Sequence, residues 1–216
     1  MVHELREYTL KAADWPAFRV LFETLGLPLR RNEHGVLLGT WLGEASGEAV
    51  RDQGGEAPDT VRFLHLWRYD ALDARAALRT RLAAVPGWRT DYLPQAAALV
   101  QTQHLSVLLP QGRLALPLQG GHGARDGAGE DGARGMDPAL HLHRYRCAVG
   151  GAAALLAALA ETAADRLGLW STEFPDPNEV VLLAPPAQAP LGHCARSVQS
   201  LRLAALGHAG ALASSS

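Results

Sequence analysis

Several features that would assign this 216-residue chain to a common class are scarce in its sequence. There are only two cysteines, Cys147 and Cys194, too few for the disulfide framework of a small secreted domain. The formal net charge is −2, so the basic excess typical of nucleic-acid-binding proteins is missing. No apolar run approaches the roughly 18 residues of a membrane-spanning helix. Because strand-like sequence begins at His3, we expect no targeting segment and therefore a cytoplasmic protein. From the net charge and the lack of a long apolar run, we expect neither nucleic-acid nor membrane partners.

The sequence does contain enough hydrophobic residues, 48%, to build a folded core. In the first half, alternating and helical patterns follow one another in the order β-α-β-β-α-β. The predicted strands are 3–10, 35–42, 61–69 and 102–110; the predicted helices are 15–25, closed by Gly26, then 71–85 and 88–100. This order is the ferredoxin-like arrangement, in which helices cover one face of a four-stranded antiparallel sheet. The other face of that sheet needs a second covering layer.

The same pattern returns after a stretch rich in glycine and alanine. Residues 111–137 have too few apolar side chains to build a core and predict a flexible linker. Beyond the linker, the motif Leu-Gly-x-Trp of 38–41 recurs at 167–170. We therefore predict a first unit, 1–110, and a second unit, 138–210, that repeats it. The second unit is expected to be degenerate, because prolines interrupt the place of its last helix.

Several segments of the first unit form a specific set when they are taken together. They are ELREYTL (4–10), GLPLRR (26–31), HGVLLGTW (34–41), LHLWRYDALDAR (64–75) and PGW (86–88). On these residues the first unit resembles the NIPSNAP family, although its second hairpin loop, 43–59, is longer than the family pattern. The family is similar in fold to dimeric α/β barrels, in which two ferredoxin-like units place their sheets face to face.

Two such units in one chain imply an α+β fold: tandem ferredoxin-like repeats forming an intramolecular dimeric α/β-barrel. Each sheet would then cover the bare face of the other, which the physical argument also requires. Fold relatives include monooxygenases, haem enzymes, isomerases and cyclases. The resemblance therefore implies a fold without choosing a reaction.

Alternation along the predicted strands groups the candidate site residues. His65 shares its face of the third strand with Trp67 and Tyr69, and Arg6 shares its face of the first strand with Tyr8. His65 is the best candidate for proton transfer, although a histidine in such a strand more often packs in the core. The sequence does not show which of the two faces lies beneath the helices, where fold relatives keep their pocket.

Arg6 and Tyr8 complete the set of catalytic candidates, because together they could bind an anionic or carbonyl oxygen. The alternative for Arg6 is an ion pair with Glu4 or Glu7, and for Tyr8 a packing role across the sheet. The candidates for the substrate pocket are the aromatic and imidazole side chains Trp41, Trp67, Tyr69 and His104. The basic pair Arg30 and Arg31 is expected to form a solvated turn and not an anion site, although an exposed pair of arginines could steer an acidic ligand.

His141 and His143 point the same way from one predicted strand, as two zinc ligands would. No third ligand is evident, although His3, His65 or His104 could approach across the barrel. The sequence has neither HExxH nor CxxC, so we expect no metal and no cofactor. The two cysteines are expected to be separate buried thiols.

Two functions remain open. In the first, the chain binds or transforms a small, partly hydrophobic organic molecule in a pocket between the sheet and helices of the first unit. In the second, it is a non-catalytic interaction or scaffold protein, whose loop 43–59 or linker carries the contacts. The sequence leaves open whether the protein is an enzyme and whether it forms a homo-oligomer.

Overall fold

The computed structural model describes residues 1–30, 35–44, 59–112, 114–115, 140–163, 165–185 and 195–206. Its eight strands are β1 (Val2–Lys11), β2 (Val36–Glu44), β3 (Thr60–Tyr69), β4 (Val100–Pro110), β5 (Leu140–Cys147), β6 (Gly168–Phe174), β7 (Glu179–Ala184) and β8 (Ala195–Ala205). The helices are α1 (Trp15–Leu21), α2 (Leu27–Arg30), α3 (Leu72–Ala84), α4 (Leu93–Leu99) and α5 (Ala152–Thr162). One π-helical turn, Phe22–Gly26, joins α1 to α2, and a second, Trp88–Tyr92, leads into α4.

All eight strands form one closed antiparallel barrel in the order β1-β3-β2-β8-β5-β7-β6-β4. Read around the barrel, the first half runs β4-β1-β3-β2 and the second half runs β8-β5-β7-β6, which is the same order. The two halves meet at two seams, where β2 pairs with β8 and β4 pairs with β6. This topology confirms the predicted barrel, in which each half-sheet covers the other.

The barrel interior is packed with alternate side chains from both halves. Its members are mostly leucines, together with one tryptophan from each half: Leu5, Leu38, Trp41, Leu64, Leu66, Leu108, Leu142, Trp170, Val181, Leu183, Leu201 and Leu203. The void left among them has a volume of about 10 Å³, hardly more than one water molecule. The space between the sheets is therefore a core and not a binding cavity.

The two interior tryptophans are held in the same way. In each Gly-x-Trp segment the indole ring folds back over the glycine two residues before it, Trp41 over Gly39 and Trp170 over Gly168. A methyl group on either glycine would collide with the ring of its tryptophan. In each half of the core, the glycine of this motif thus provides the space in which one large aromatic side chain packs.

Gly168→Ala is expected to lower the free energy of unfolding by about 1–3 kcal/mol, because the new methyl group overpacks the site of the buried indole. Urea unfolding at pH 7 measures the change. In a Trp170→Leu background the same alanine should cost less than about 0.5 kcal/mol, since the colliding ring is gone. An equal cost in both backgrounds would show that the indole is not the reason for the glycine.

A polar cluster interrupts the apolar interior where the two halves meet. Arg144 of β5 donates to Glu179 of β7 at 2.6 Å and to the Ser106 hydroxyl of β4 at 3.2 Å. Its second terminal nitrogen donates to Glu7 of β1. These side chains are all nearly buried, so the cluster is a buried ion-pair network that links the first and second halves.

The helices lie on the outer faces of the barrel. α1, α2 and α4, with the two π-helical turns, cover the first half, and α5 packs on the second half. Cys147 is buried in the α5 layer; Cys194 lies outside the described residues.

The prediction that Gly26 closes the first helix is wrong. The helical path continues through it to Arg30, and a Cβ atom at Gly26 would lie 2.6 Å from the Tyr92 ring. The glycine therefore allows two helical segments to approach closely.

Most of two predicted segments lies outside the described residues: the loop 43–59, apart from its ends, and the linker 111–137, apart from four residues at its start. The place of the missing helix in the second unit, 186–194, lies outside them as well. Among the helices that the structure describes, none is long and apolar enough to cross a membrane.

Candidate functional site

The structure shows which strand face lies beneath the helices of the first half. In the register of β1 with β3, Arg6 pairs with His65, Glu4 with Trp67 and Tyr8 with Phe63. These side chains point toward the helices, because the alternate positions are occupied by the leucines of the barrel interior. The predicted candidates Arg6, Tyr8, His65, Trp67 and Tyr69 therefore share one face.

Trp41 and His104 do not belong to that face. β2 shifts register between Leu37 and Gly39, and this bulge turns the Trp41 side chain into the barrel interior. His104 alternates with the helix-facing residues of β4 and lies with its Nε2 atom 3.2 Å from the hydroxyl of Ser106, on the interior side. The prediction that these two residues line a pocket beneath the helices is corrected by this placement.

His65 is completely buried on the face of β3 that lies beneath the helices. The rings of Tyr8, Phe22 and Phe63 surround it at centroid distances of 5.1–5.4 Å. Trp67 Nε1 donates a hydrogen bond to His65 Nδ1 at 2.5 Å. Since Nδ1 is the acceptor, the neutral ring carries its proton on Nε2. This geometry holds the imidazole in place as part of the support for Tyr8.

A groove of about 330 Å³ opens beside this face, between β1, α4 and the beginning of β4. Its polar lining consists of the buried side chains of Arg6, Tyr8 and Arg30 and the exposed residues 101–103 of β4. Trp88 and Tyr92 provide its aromatic wall. Its volume lies in the lower part of the range of small-molecule sites, roughly 300–1,000 Å³. The groove is therefore large enough for a small organic molecule with polar and apolar parts.

Arg30 does not lie in a solvated turn, the environment that its local sequence predicts. Its side chain is only 1% exposed. The guanidinium carbon lies 4.8 Å from the centroid of the Trp88 ring and 5.5–5.8 Å from those of Phe22, Trp67 and Tyr92. These are cation–π distances, and the four rings together form an aromatic cage around Arg30.

Two further arginines share one carboxylate beside the groove. Arg6 forms an ion pair with Glu4, and Arg75 of α3 binds the other oxygen of the same carboxylate. The ion pair between Arg6 and Glu4 is one of the two pairings that the sequence predicts as the alternative to ligand binding by Arg6. Arg6 also donates a hydrogen bond to the Tyr8 hydroxyl at 3.3 Å. Its guanidinium group therefore contacts both Glu4 and a side chain that lines the groove.

The two tyrosines of the groove differ in their electrostatic surroundings. Burial raises the pKa of Tyr8, but the charges and hydrogen bonds of Arg6 and Arg30 outweigh burial and hold it below its ordinary value. Burial raises the pKa of Tyr92 to about 12, so Tyr92 remains a hydrogen-bond donor at neutral pH. Tyr8 is thus the group best placed to exchange a proton with a bound molecule.

The outer face of the second half differs in chemistry. β5 pairs His143 with Leu182 of β7 and His141 with Ala184, so aliphatic residues stand where the first half has His65 and Trp67. Val180, Leu182 and Ala184 pack directly against the α5 layer. The combination of arginines and tyrosine that lines the groove is therefore a property of the first half.

His141 and His143 lie side by side on that outer face, with ring centroids 5.7 Å apart. His143 Nδ1 lies 2.7 Å from the Ser200 hydroxyl. Within the described ranges, no three histidine, cysteine or acidic side chains come together as metal ligands would. The histidine pair therefore has two members of a ligand set and no third among these residues.

Comparison with known proteins relates the first half to one family. The NIPSNAP sequence profile matches residues 3–112. A solved structure from Agrobacterium tumefaciens is 27% identical and covers 55% of this chain and 99% of its own, with a TM-score of 0.44. A NIPSNAP domain protein from Burkholderia xenovorans is 28% identical and covers 52% of this chain and 96% of its own, with a TM-score of 0.42.

Another solved structure extends over both halves. A candidate monooxygenase from Fusobacterium nucleatum is 7% identical, covers 95% of this chain and 92% of its own, and has a TM-score of 0.58. At this identity the similarity shows the fold alone. Among curated proteins, no sequence matches this chain significantly.

Proposed function

This chain belongs to the NIPSNAP family, and from that premise we propose that it binds a small, partly hydrophobic organic molecule in the groove of its first half. The observation that carries the proposal is the groove itself, about 330 Å³ in volume, whose lining includes Arg6 and Tyr8 together with the aromatic rings of Trp88 and Tyr92. Sites for small molecules combine an apolar wall with a few oriented polar groups in this way.

If the bound molecule is also transformed, Tyr8 is the proposed proton donor or acceptor and Arg6 the group that stabilises the charge on it. Tyr8 lines the groove, and its hydroxyl accepts a hydrogen bond from Arg6. His65 lies behind Tyr8 and is proposed as a positioning residue, because its ring packs against the Tyr8 ring at 5.1 Å.

We further propose that the second half is a degenerate copy of the first, retained because it completes the barrel. The equal strand order and the second Gly-x-Trp segment support a common origin of the two halves. Leu182 and Ala184, at the positions of His65 and Trp67, support the loss of the site from the second copy.

A thermal-shift screen with small organic metabolites tests the groove. A compound that binds the folded chain raises Tm by mass action, by the equivalent of about 2.7 kcal/mol when its concentration is 100 times Kd. Ala97 lies in the groove wall, so Ala97→Trp should fill the groove and remove the shift. The matched control is Ala157→Trp on the exposed side of α5, which should keep the full shift. Shifts of equal size in both variants, or no shift with any compound, would reject the groove as the binding site.

A further inference from the structure

The groove lies beside an excess of buried positive charge. Arg6 and Arg30 line it, and Arg75 contacts the same cluster through Glu4. In the part of the chain that the structure describes, Glu4 is the one carboxylate that pairs with any of the three arginines. Three guanidinium groups thus face a single carboxylate in a region with little access to water. Buried charge is costly when it is not balanced, so this arrangement calls for a further anion.

Arg30 is the least balanced of these groups. Its Nε and Nη1 atoms are buried and have no hydrogen-bond partner among the described residues. The aromatic cage offsets part of the desolvation cost, but ring faces cannot accept a charge-assisted hydrogen bond as a carboxylate does. Tyr92, beside it, likewise has a buried hydroxyl with no partner within the described ranges.

We propose that Arg30, Arg6 and the Tyr8 hydroxyl between them form an oxyanion site, and that the ligand of the groove is a small aromatic or aliphatic carboxylic acid. The carboxylate docks between the two guanidinium groups, and the apolar part of the acid lies against Trp88 and Tyr92. The inference rests on the proposed function, because it names the chemical class of the molecule that the groove binds. Phosphate monoesters fit less well, because a dianion would need to place its charge beside an aromatic wall.

The electrostatics of the neighbouring groups agree with this assignment. Burial raises the pKa of Tyr8, yet Arg6 and Arg30 bring it below its ordinary value, which shows the strength of the positive potential at its hydroxyl. On α3, partial burial and the like charges of Arg6 and Arg75 lower the pKa of Arg79. Arg79 therefore adds to an excess of cations that an acid in the groove would balance.

The test compares acids with their neutral counterparts on the native protein. The probes are benzoate and benzyl alcohol, naphthalene-2-carboxylate and naphthalene-2-methanol, and octanoate and 1-octanol, measured by calorimetry at pH 7.5. At least one acid is expected to bind about 10- to 100-fold more tightly than its alcohol, the usual worth of charge-assisted hydrogen bonds. Alcohols that bind as tightly as the acids would overturn the oxyanion site and leave the groove proposal standing. No binding by any of the six probes would reject both.

Variants then assign the preference to Arg30. In Arg30→Met the affinity for the acid should fall by about 10-fold or more toward that for the alcohol, because only Arg6 of the two guanidinium groups remains, while the affinity for the alcohol stays the same. Arg19→Met on α1, whose side chain is 39% exposed and pairs with Glu23, is the matched control and should keep the full preference. Arg30→Lys should recover part of it, because the charge is retained without the planar fork. If Arg30→Met does not fold, Arg30→Lys and the native comparison still decide. A full preference for acids in Arg30→Met would overturn the assignment.

Discussion

Replacement of Arg144 by methionine is expected to lower the free energy of unfolding by about 3–5 kcal/mol, because it leaves two buried carboxylates without their cation. Glu7 and Glu179 both bind Arg144, and their side chains are only 11% and 7% exposed. Methionine preserves most of the aliphatic volume, so the loss reports the charge and not a cavity. An effect of this size is a large part of the total stability of an ordinary domain, about 5–15 kcal/mol.

The cluster has this weight because it joins elements from both halves of the barrel. Glu7 belongs to β1 of the first half, and Arg144 and Glu179 belong to β5 and β7 of the second. Burial lowers the pKa of Arg144, but the two carboxylates outweigh burial and raise it, so its guanidinium stays charged. The ion pairs therefore also fix how the two sheets face each other.

Urea unfolding at pH 7 measures the change, with Arg146→Met as the control. Arg146 lies two residues further along β5 and is exposed, so its replacement should change stability by less than about 0.5 kcal/mol. Combining Arg144→Met with Glu7→Gln and Glu179→Gln should recover most of the loss, because no buried charge then remains unpaired. A loss below about 1 kcal/mol in Arg144→Met would mean that water reaches the carboxylates and that these ion pairs contribute little to stability.

The barrel was predictable because a short motif of the first half recurs in the second half of the sequence. The recurrence of Leu-Gly-x-Trp predicted two related units, and a half-sheet with one bare face needs a partner. Which face of each strand lies beneath the helices could not be predicted. In β3 both Leu64 and Leu66 on one side and Phe63 and Trp67 on the other are apolar, because both faces of the sheet are buried. Alternation then separates two faces without showing which one lies beneath the helices.

The site was predictable where it depends on one strand and not where it depends on tertiary packing. Alternation placed Arg6 beside Tyr8 and His65 beside Trp67, and the structure brings these pairs together. Arg30 was missed because its local sequence, GLPLRR, has the composition of a turn. The rings that enclose it come from three segments of the chain, which hold Phe22, Trp67, and Trp88 with Tyr92. Trp41 was misplaced because a single bulge reverses the facing of every later residue in its strand.

Lowering the pH from 7 to 5 is expected to reduce the free energy of unfolding by about 4 kcal/mol, about 2 kcal/mol from each of two buried histidines. Burial, chiefly, lowers the pKa of His3 and of His143 from 6.5 to about 4. In the unfolded chain both rings take up a proton near pH 6.5, whereas in the folded chain they stay neutral. Their contribution to stability is therefore complete above pH 6.5 and is lost progressively as the pH falls toward 4.

The surroundings of the two rings explain why they resist protonation. Trp170 Nε1 donates to His3 Nδ1 at 2.9 Å inside the barrel, so a second proton on His3 would remove the acceptor of this bond. After burial, the positive charges of Arg68 and the N-terminus act in the same direction on His3. His141 has the same effect on His143. Burial and the charge of Arg202 also lower the pKa of His141, so its contribution has the same sign. Glu4, with a pKa below its ordinary value of 4.5, titrates at lower pH than this window.

Urea unfolding of the native chain and of His3→Gln and His143→Gln at both pH values isolates each contribution. Glutamine cannot take up a proton, so each variant should be less stable than the native chain at pH 7 but should lose about 2 kcal/mol less between pH 7 and 5. The control is Val149→Gln, because Val149 is 90% exposed and carries no titratable group, so its replacement should leave the pH dependence as it is in the native chain. A native chain equally stable at pH 7 and pH 5 would mean that the buried rings accept protons without unfolding, for which the barrel would have to admit water around His3 and His143.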